Sequence, residues 1–277
     1  MAPTTQDVAR PRILLLLSIV LLLAAGPAAA SAHAQAPALT PVQRHVADQL
    51  VSVFENDTTR IRYDYVVDLH DGCGITAGRA GFCSATGDML LVVRDYAARR
   101  PHNALRRYLP VLRARAATGS ASARGLRRAF RTAWRHAASD ARFRAAQDHV
   151  VDEEYFDPAA QLAGAAGLAS PLAVAIFYDT AIEHGISTDP DGLPALIART
   201  DARAGAPAVA GEGRWLAAFL DVRRADLLHP HNRARRIDWP ESVGRVSALR
   251  HLLADGHLDL LPPLAIDPWG DHTFTLR

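Results

Sequence analysis

The sequence predicts an α+β fold, mainly helical, with a small β region near the N-terminal third. Three observations predict it. Apolar residues recur at helical spacing from Asp88 almost to the C-terminus. The one run rich in β-branched and aromatic residues, 61–69, lies before that point. Pro and Gly separate the helical segments, as at Pro158, Gly185 and Gly256. Hydrophobic residues make up 49% of the chain, which fits a globular protein and excludes a disordered tail.

The N-terminus reads as an export signal over residues 1–34. Arg10 and Arg12 precede an apolar run from Ile13 to Ala25, Pro27 breaks it, and Ala32-His33-Ala34 offers a small-residue cleavage site. The alternative is an uncleaved anchor, but the run is short for a membrane span. The expected folded part is therefore 35–277, exported and free of the membrane after cleavage. Every basic residue is Arg. Residues 35–277 hold 29 Arg against 28 acidic groups. That near-neutrality argues against nucleic-acid binding by bulk charge.

Residues 40–56 read as the first helix. Thr40 suits the N-cap and Pro41 the first helical position, and Val42, Val46, Leu50 and Val53 recur at helical spacing. Glu55 thus falls near the C-terminal end, where the helix dipole disfavours a negative charge. Residues 61–69 read as a strand, with Arg62, Asp64 and Val66 on one face and Tyr63, Tyr65 and Val67 on the other. A Gly-punctuated stretch from Gly72 to Gly87 reads as short hairpin strands. Cys73 and Cys83 flank Gly78 at its centre. Export permits a disulfide between them, while the short separation makes two free thiols the alternative. Helices are then expected within 87–100, 126–140, 142–156, 171–185, 213–228 and 241–256, and a surface loop over 117–125.

Two carboxylates stand out, Glu55 at a helix end and Asp71 before the Gly-rich turn. A protonated carboxylic acid and a carboxylate base are what glycoside hydrolysis needs. The pair alone is weak, because most such carboxylates are merely solvated. The wider pattern is more specific. "ENDTT", "YDYVVDLHDGCGIT", "GFCSATGDM", "AAQDHVVDEEYFDPA", "FYDTAIEHG", "FLDVRR" and "GHLDLLPPL" follow one another as in chitosanases of glycoside hydrolase family 46, which this chain resembles from about Val46 to about Asp271.

That resemblance implies a lysozyme-like, two-lobed fold with one cleft. It implies endo-hydrolysis of chitosan, a β-1,4-linked glucosamine polymer, with inversion and without a cofactor or metal. It makes Glu55 the proton donor, Asp71 the general base and Thr76 the residue that helps hold the attacking water. Asp88 and Tyr65 match substrate-binding positions. Asp179, Arg223 and Arg236 match an ion network reaching the catalytic Glu. The chain departs from the family pattern at Ile75, at Cys73 in place of Arg, and at Val67 in place of an acidic contact.

A polycationic substrate calls for an acidic cleft. Asp64, Asp68, Asp71 and Asp88 supply one acidic stretch; Asp148, Asp152, Glu153, Glu154 and Asp157 supply another, in which Glu153 and Glu154 read rather as a solvated helix face. His229 and His231 read as a loop pair, not as metal ligands. The expected partner is chitosan bound by a monomer. The competing readings are an aminoglycan-binding protein with little turnover and a glycosidase acting on another amino-sugar polymer such as peptidoglycan.

Overall fold

The computed structural model describes residues 38–70 and 72–277. Residues 1–34, read above as an export signal, and Asp71 lie outside the described residues. Helix α1 (Pro41–Asn56) leads into a three-stranded antiparallel sheet, β1 (Val66–Asp68), β2 (Ile75–Ala77) and β3 (Phe82–Cys83). Helices α2 (Asp88–Arg99), α3 (Leu109–Thr118), α4 (Arg128–Ala137) and α5 (Ala141–Val151) follow. A π-helical turn, Asp152–Phe156, joins α5 to α6 (Asp157–Ala165). The remaining helices are α7 (Pro171–His184), α8 (Leu193–Ala204), α9 (Pro207–Ala210), α10 (Glu212–Leu228) and α11 (Val243–Ala254). A terminal hairpin, β4 (Leu264–Ile266) with β5 (Phe274–Leu276), closes the chain. The mainly helical α+β class is thus observed. No helix among the described residues is long and apolar enough to cross a membrane.

Helix α1 starts where its capping chemistry places it. The Gln43 N–H donates to Thr40 Oγ1 at 3.3 Å, and the Thr40 N–H donates to Gln43 Oε1 at 2.9 Å, so two otherwise orphaned donors are satisfied. Val46, Leu50 and Val53 are buried, whereas Val42 stays exposed in the first turn, before the helix reaches the core. Asp57 ends the helix in the left-handed region, φ 53°, leaving Glu55 in the last turn.

Helix α7 is apolar almost all round and buried along most of its length, which marks it as the central helix. Burial on every side means that any polar group on it needs a partner within the protein. Asp179 is one such group.

Two local expectations are corrected. The strand read over 61–69 is only Val66–Asp68. Its first half turns at Tyr63 and Asp64, where Arg62 Nε donates to Asp64 Oδ1 at 3.0 Å. An ion pair between residues two apart closes a turn and competes with extension. The chain is also not helical to its end: the β4–β5 hairpin packs near α1, where the Arg277 N–H donates to Gln49 Oε1 at 2.7 Å. Three-residue strands are too short to show an alternation in sequence.

Candidate active site

The last turn of α1 delivers Glu55 into a cluster of charges. Arg245 Nη2, from α11, donates to Glu55 Oε1 at 2.9 Å and to the Phe54 carbonyl at 3.4 Å. Arg245 Nη1 lies 3.2 Å from Asp179 Oδ1 and 3.1 Å from Glu183 Oε2. Asp179 and Glu183 are one turn apart on α7 and so share a face. Arg223 Nη1, from α10, reaches Asp179 Oδ2 at 2.6 Å. Asp179 is 1% exposed at its side chain and Arg245 4%, while Glu55 keeps 21%. With Glu183 at 13%, Glu55 is the carboxylate of the cluster most open to a solvent-borne group.

Three carboxylates surround two guanidinium groups, a surplus of one negative charge. Burying that surplus is costly, so the cluster favours holding a proton. Glu55 is raised above the ordinary carboxylate range, first by burial, then by Glu183 and Asp179; Arg245 opposes this and does not prevail. A carboxyl beside solvent that holds its proton more tightly than usual is what a general acid requires.

The hairpin faces the same acid. Val67 pairs opposite Thr76, and Thr76 opposite Cys83. Thr76 is buried, and its Oγ1 has no partner among the described residues. A Cβ added to Gly81 would lie 3.5 Å from Glu55 Oε2 and 3.6 Å from Thr76 Cγ2. Thr76 and Glu55 thus converge on the hairpin turn, where the φ of +63° at residue 81 favours Gly. Gly74 is constrained differently: its φ is +80°, and a Cβ there would lie 2.5 Å from Ser84 Oγ. Close approach at Gly74 brings the chain before β2 against the chain after β3. Cys73 and Cys83 are disulfide-bonded, with Cα atoms 5.3 Å apart. They are not directly opposed in the ladder, since Cys83 faces Thr76.

Asp88 begins α2 and holds the other end of the hairpin. Its Oδ1 accepts from the Cys83 N–H and its own neighbour's N–H, Met89, each at 2.8 Å, and from Thr86 Oγ1 at 2.9 Å. Tyr155, in the π-helical turn, donates its hydroxyl to Asp88 Oδ2 at 3.0 Å. Burial raises the Asp88 carboxyl, and these four donors lower it in part. Asp88, Glu154 and Tyr155 line one shallow depression. Glu154, read above as a solvated charge, belongs to that wall. Tyr65 is half-buried just before β1, and its carbonyl accepts from the Gly78 N–H at 2.8 Å.

Two other acidic residues of the 148–157 run, Asp148 and Asp152, are paired by arginines distant in sequence. Arg79, buried in the hairpin turn, lies 2.5 Å from Asp48 and also contacts Asp148. Arg44 lies 2.5 Å from Asp152. These pairs tie the hairpin to α1 and α5. They leave Glu153 exposed, near His149.

Arg236 is not in the network. It is exposed in a 3₁₀ turn, and its Nε donates to the Pro230 carbonyl at 3.3 Å. Arg245 takes the place expected of it: α11 packs on α10, and from there the Arg245 side chain reaches Glu55 on α1 and Asp179 and Glu183 on α7. The sequence did carry a signal for this. Arg245 shares its spacing with Leu249 and Leu252, which puts a cation on an apolar stripe. Tyr155 and Glu183 were likewise missed, for want of any local pattern.

His231 has more company than its loop suggested. It forms a group with Asp191 and Asp226 whose potential metal-ligating atoms lie within 4.8 Å of one another. The arrangement fits a structural ion cluster better than a metal site. Arg235 Nη1 donates to Asp191 Oδ2 at 2.9 Å, Arg199 contacts Asp226, and Asp191 accepts the N–H groups of His231 and Asn232 at 2.7 and 2.9 Å. Two guanidinium groups already neutralise the two carboxylates.

The chain has well-described relatives. The profile of glycosyl hydrolase family 46 matches residues 49–264. A chitosanase of Bacillus subtilis (strain 168) is 46% identical over 233 residues, 83% of this chain and 84% of that protein. Among solved structures, a Gynuella sunshinyii chitosanase of the family in complex with chitotetraose superposes with a TM-score of 0.81 at 47% identity, covering 87% of this chain and 99% of that one. Native chitosanase from Bacillus subtilis MY002 gives 0.82 at 44% identity, covering 87% and 100%. A mutant of that enzyme is complexed with 6 GlcN.

Proposed function

Because the chain belongs to glycosyl hydrolase family 46, we propose that it cleaves the β-1,4 linkages of chitosan internally and with inversion. Glu55 acts as the acid and Asp71 as the base. The observation that carries this reading is Glu55 itself: partly open to solvent, yet held in a cluster with one negative charge too many. Such a group protonates the glycosidic oxygen as the bond to the anomeric carbon breaks. Arg245 orients the carboxyl, and its charge is shared among three acids, so it opposes the upward shift of Glu55 without reversing it. Inversion places water between the sugar and the base, and the unpaired Thr76 hydroxyl is suited to holding that water. Asp88, steadied by Tyr155, offers a carboxylate to an ammonium group of the polymer. Export of the enzyme, which a polymer too large for uptake requires, follows from the N-terminal reading. The protein works as a monomer without a cofactor.

The test is direct. Glu55→Gln and Asp71→Asn should each abolish release of reducing ends from soluble chitosan while the fold survives. Near wild-type turnover in both would overturn the assignment. Proton NMR of fresh digests should show the α-anomer first; an initial β product would refute inversion. Rates on chitosan, chitin and cell walls compare the substrates.

A further inference from the structure

The substrate proposed above is a polycation, yet one part of the chain is strongly basic. Residues 99–144 contain thirteen Arg and a single acid, Asp140. The rest of 35–277 is correspondingly acidic, with 16 Arg against 27 acidic residues. Most of the thirteen are exposed. Arg99 pairs with Asp95 and Arg100 with Asp140. Arg106, Arg115, Arg135 and Arg144 donate to main-chain carbonyls, which do not neutralise charge. Arg107 and Arg128 have no acidic partner among the described residues. A guanidinium-rich surface with so few counter-charges repels itself, and that repulsion opposes the compact state.

The basic residues also line a groove. Arg128, Thr132 and His136 recur every fourth residue on one face of α4, and Arg107 faces them from the segment before α3. The depression continues past Ala104 and Ala133 to His102 and Arg100. The ten residues of α4 make it roughly 15 Å long. Arg107, Arg128, Thr132 and His136 supply the groove's donors, set between the apolar surfaces of Ala104, Ala129, Ala133 and Tyr108. No glucosamine polymer would settle there, because ammonium groups would meet arginines. Stacked bases are not favoured either. Tyr108 borders the groove but packs edge-on against Phe130 at 5.0 Å between centroids, and Phe130 and Trp134 are buried, so the lining offers one ring and no series of rings for successive bases. The ligand that fits is acceptor-only, charged at every unit and linear, and phosphate meets the guanidinium fork in that way.

We propose that the α4 groove binds a linear phosphate polymer, at a site separate from the one that hydrolyses glycosidic bonds. Arg107 and Arg128 grip successive phosphates, and the surrounding arginines supply the long-range attraction. The groove would thereby hold a hydrolase on a phosphate-rich polyanion while its acidic region stays available to a polycation.

Long-chain inorganic polyphosphate is the probe, titrated calorimetrically into the full chain across a salt series. Saturable binding is expected at low salt, weakening at least about tenfold between about 50 and 200 mM. The double variant Arg107→Ser/Arg128→Ser should bind more weakly, with a slope of log Kd against log salt lower by about 0.7 for each phosphate no longer neutralised. The control Arg203→Ser/Arg214→Ser, on α8 and α10, should match the wild type. Both double variants should hydrolyse short soluble chitosan oligomers at wild-type rates, which keeps this result independent of Glu55 and Asp71. Absence of binding at low salt would overturn the proposal, as would an unchanged slope in the Arg107/Arg128 variant. So would tighter binding to phosphatidylglycerol vesicles, or to a single-stranded oligonucleotide of equal charge, than to polyphosphate.

Discussion

Arg245 and Glu55 meet at 2.9 Å across a sequence separation of 190 residues, and the same guanidinium also serves Asp179 and Glu183. One cation thus positions the acid without reversing the upward shift that burial gives it. Replacing Arg245 with Met removes that cation and leaves buried carboxylates uncompensated. The expected cost is about 3–5 kcal/mol, read from urea unfolding. A loss below about 1 kcal/mol would mean the network is not structural.

Glu183 tunes the acid from one turn along α7. Its negative charge is among the causes that raise Glu55. Glu183→Gln should lower the Glu55 value, because two carboxylates then balance two guanidiniums. The acid must be protonated to act, so the basic limb of the kcat profile should move to lower pH. The opposite limb, set by the base, should stay in place. A basic limb that stayed put or moved up would exclude Glu183 from this role.

Glu55 also links stability to pH. Its folded value is raised above the unfolded one, chiefly by burial. The stability it confers is complete below the unfolded value and lost as pH rises through the folded value. Glu55→Gln removes this dependence. Thermal unfolding across a pH series should show the wild type falling relative to the variant over that rise; parallel curves would contradict the raised value.

The Cys73–Cys83 bridge closes a short loop around Thr76. Double replacement by Ser should cost ~2–3 kcal/mol through the freed unfolded chain. Urea unfolding with and without reductant measures it: the reductant should shift the wild type toward the variant and leave the variant unchanged. Turnover should fall more than the fraction unfolded accounts for, since Thr76 loses its brace. Turnover that tracks folding alone would limit the bridge to stability.

Gly81 lies where Glu55 and Thr76 converge. Gly81→Ala puts a side chain at φ +63°, a backbone strain of about 1–2 kcal/mol, and its relief shifts the turn that touches the acid. Activity should drop along with the melting temperature. A variant as stable and as active as the wild type would show that this turn has room to spare.

Local order in the chain announced much of this. The Thr40–Gln43 cap, the helical stripe behind it and the end of α1 place Glu55 without any tertiary information. Hairpin glycines place Thr76 and Cys83 on one small sheet with Cys73 in the bend just before it, and the family motifs single out Glu55, Asp71, Thr76 and Asp88. These features depend on neighbours a few residues apart, which is why they can be read from spacing. The choice of Arg245 over Arg236 could not be read so simply. Both lie in an arginine-rich stretch, and only the packing of α11 on α10, which brings Arg245 beside Glu55, Asp179 and Glu183, decides which one is buried. The same is true of Tyr155 on Asp88, of Arg79 and Arg44 on the distant aspartates, and of the terminal hairpin near α1. A buried charge is stable only beside its counter-charge, and chain separation has no part in that distance.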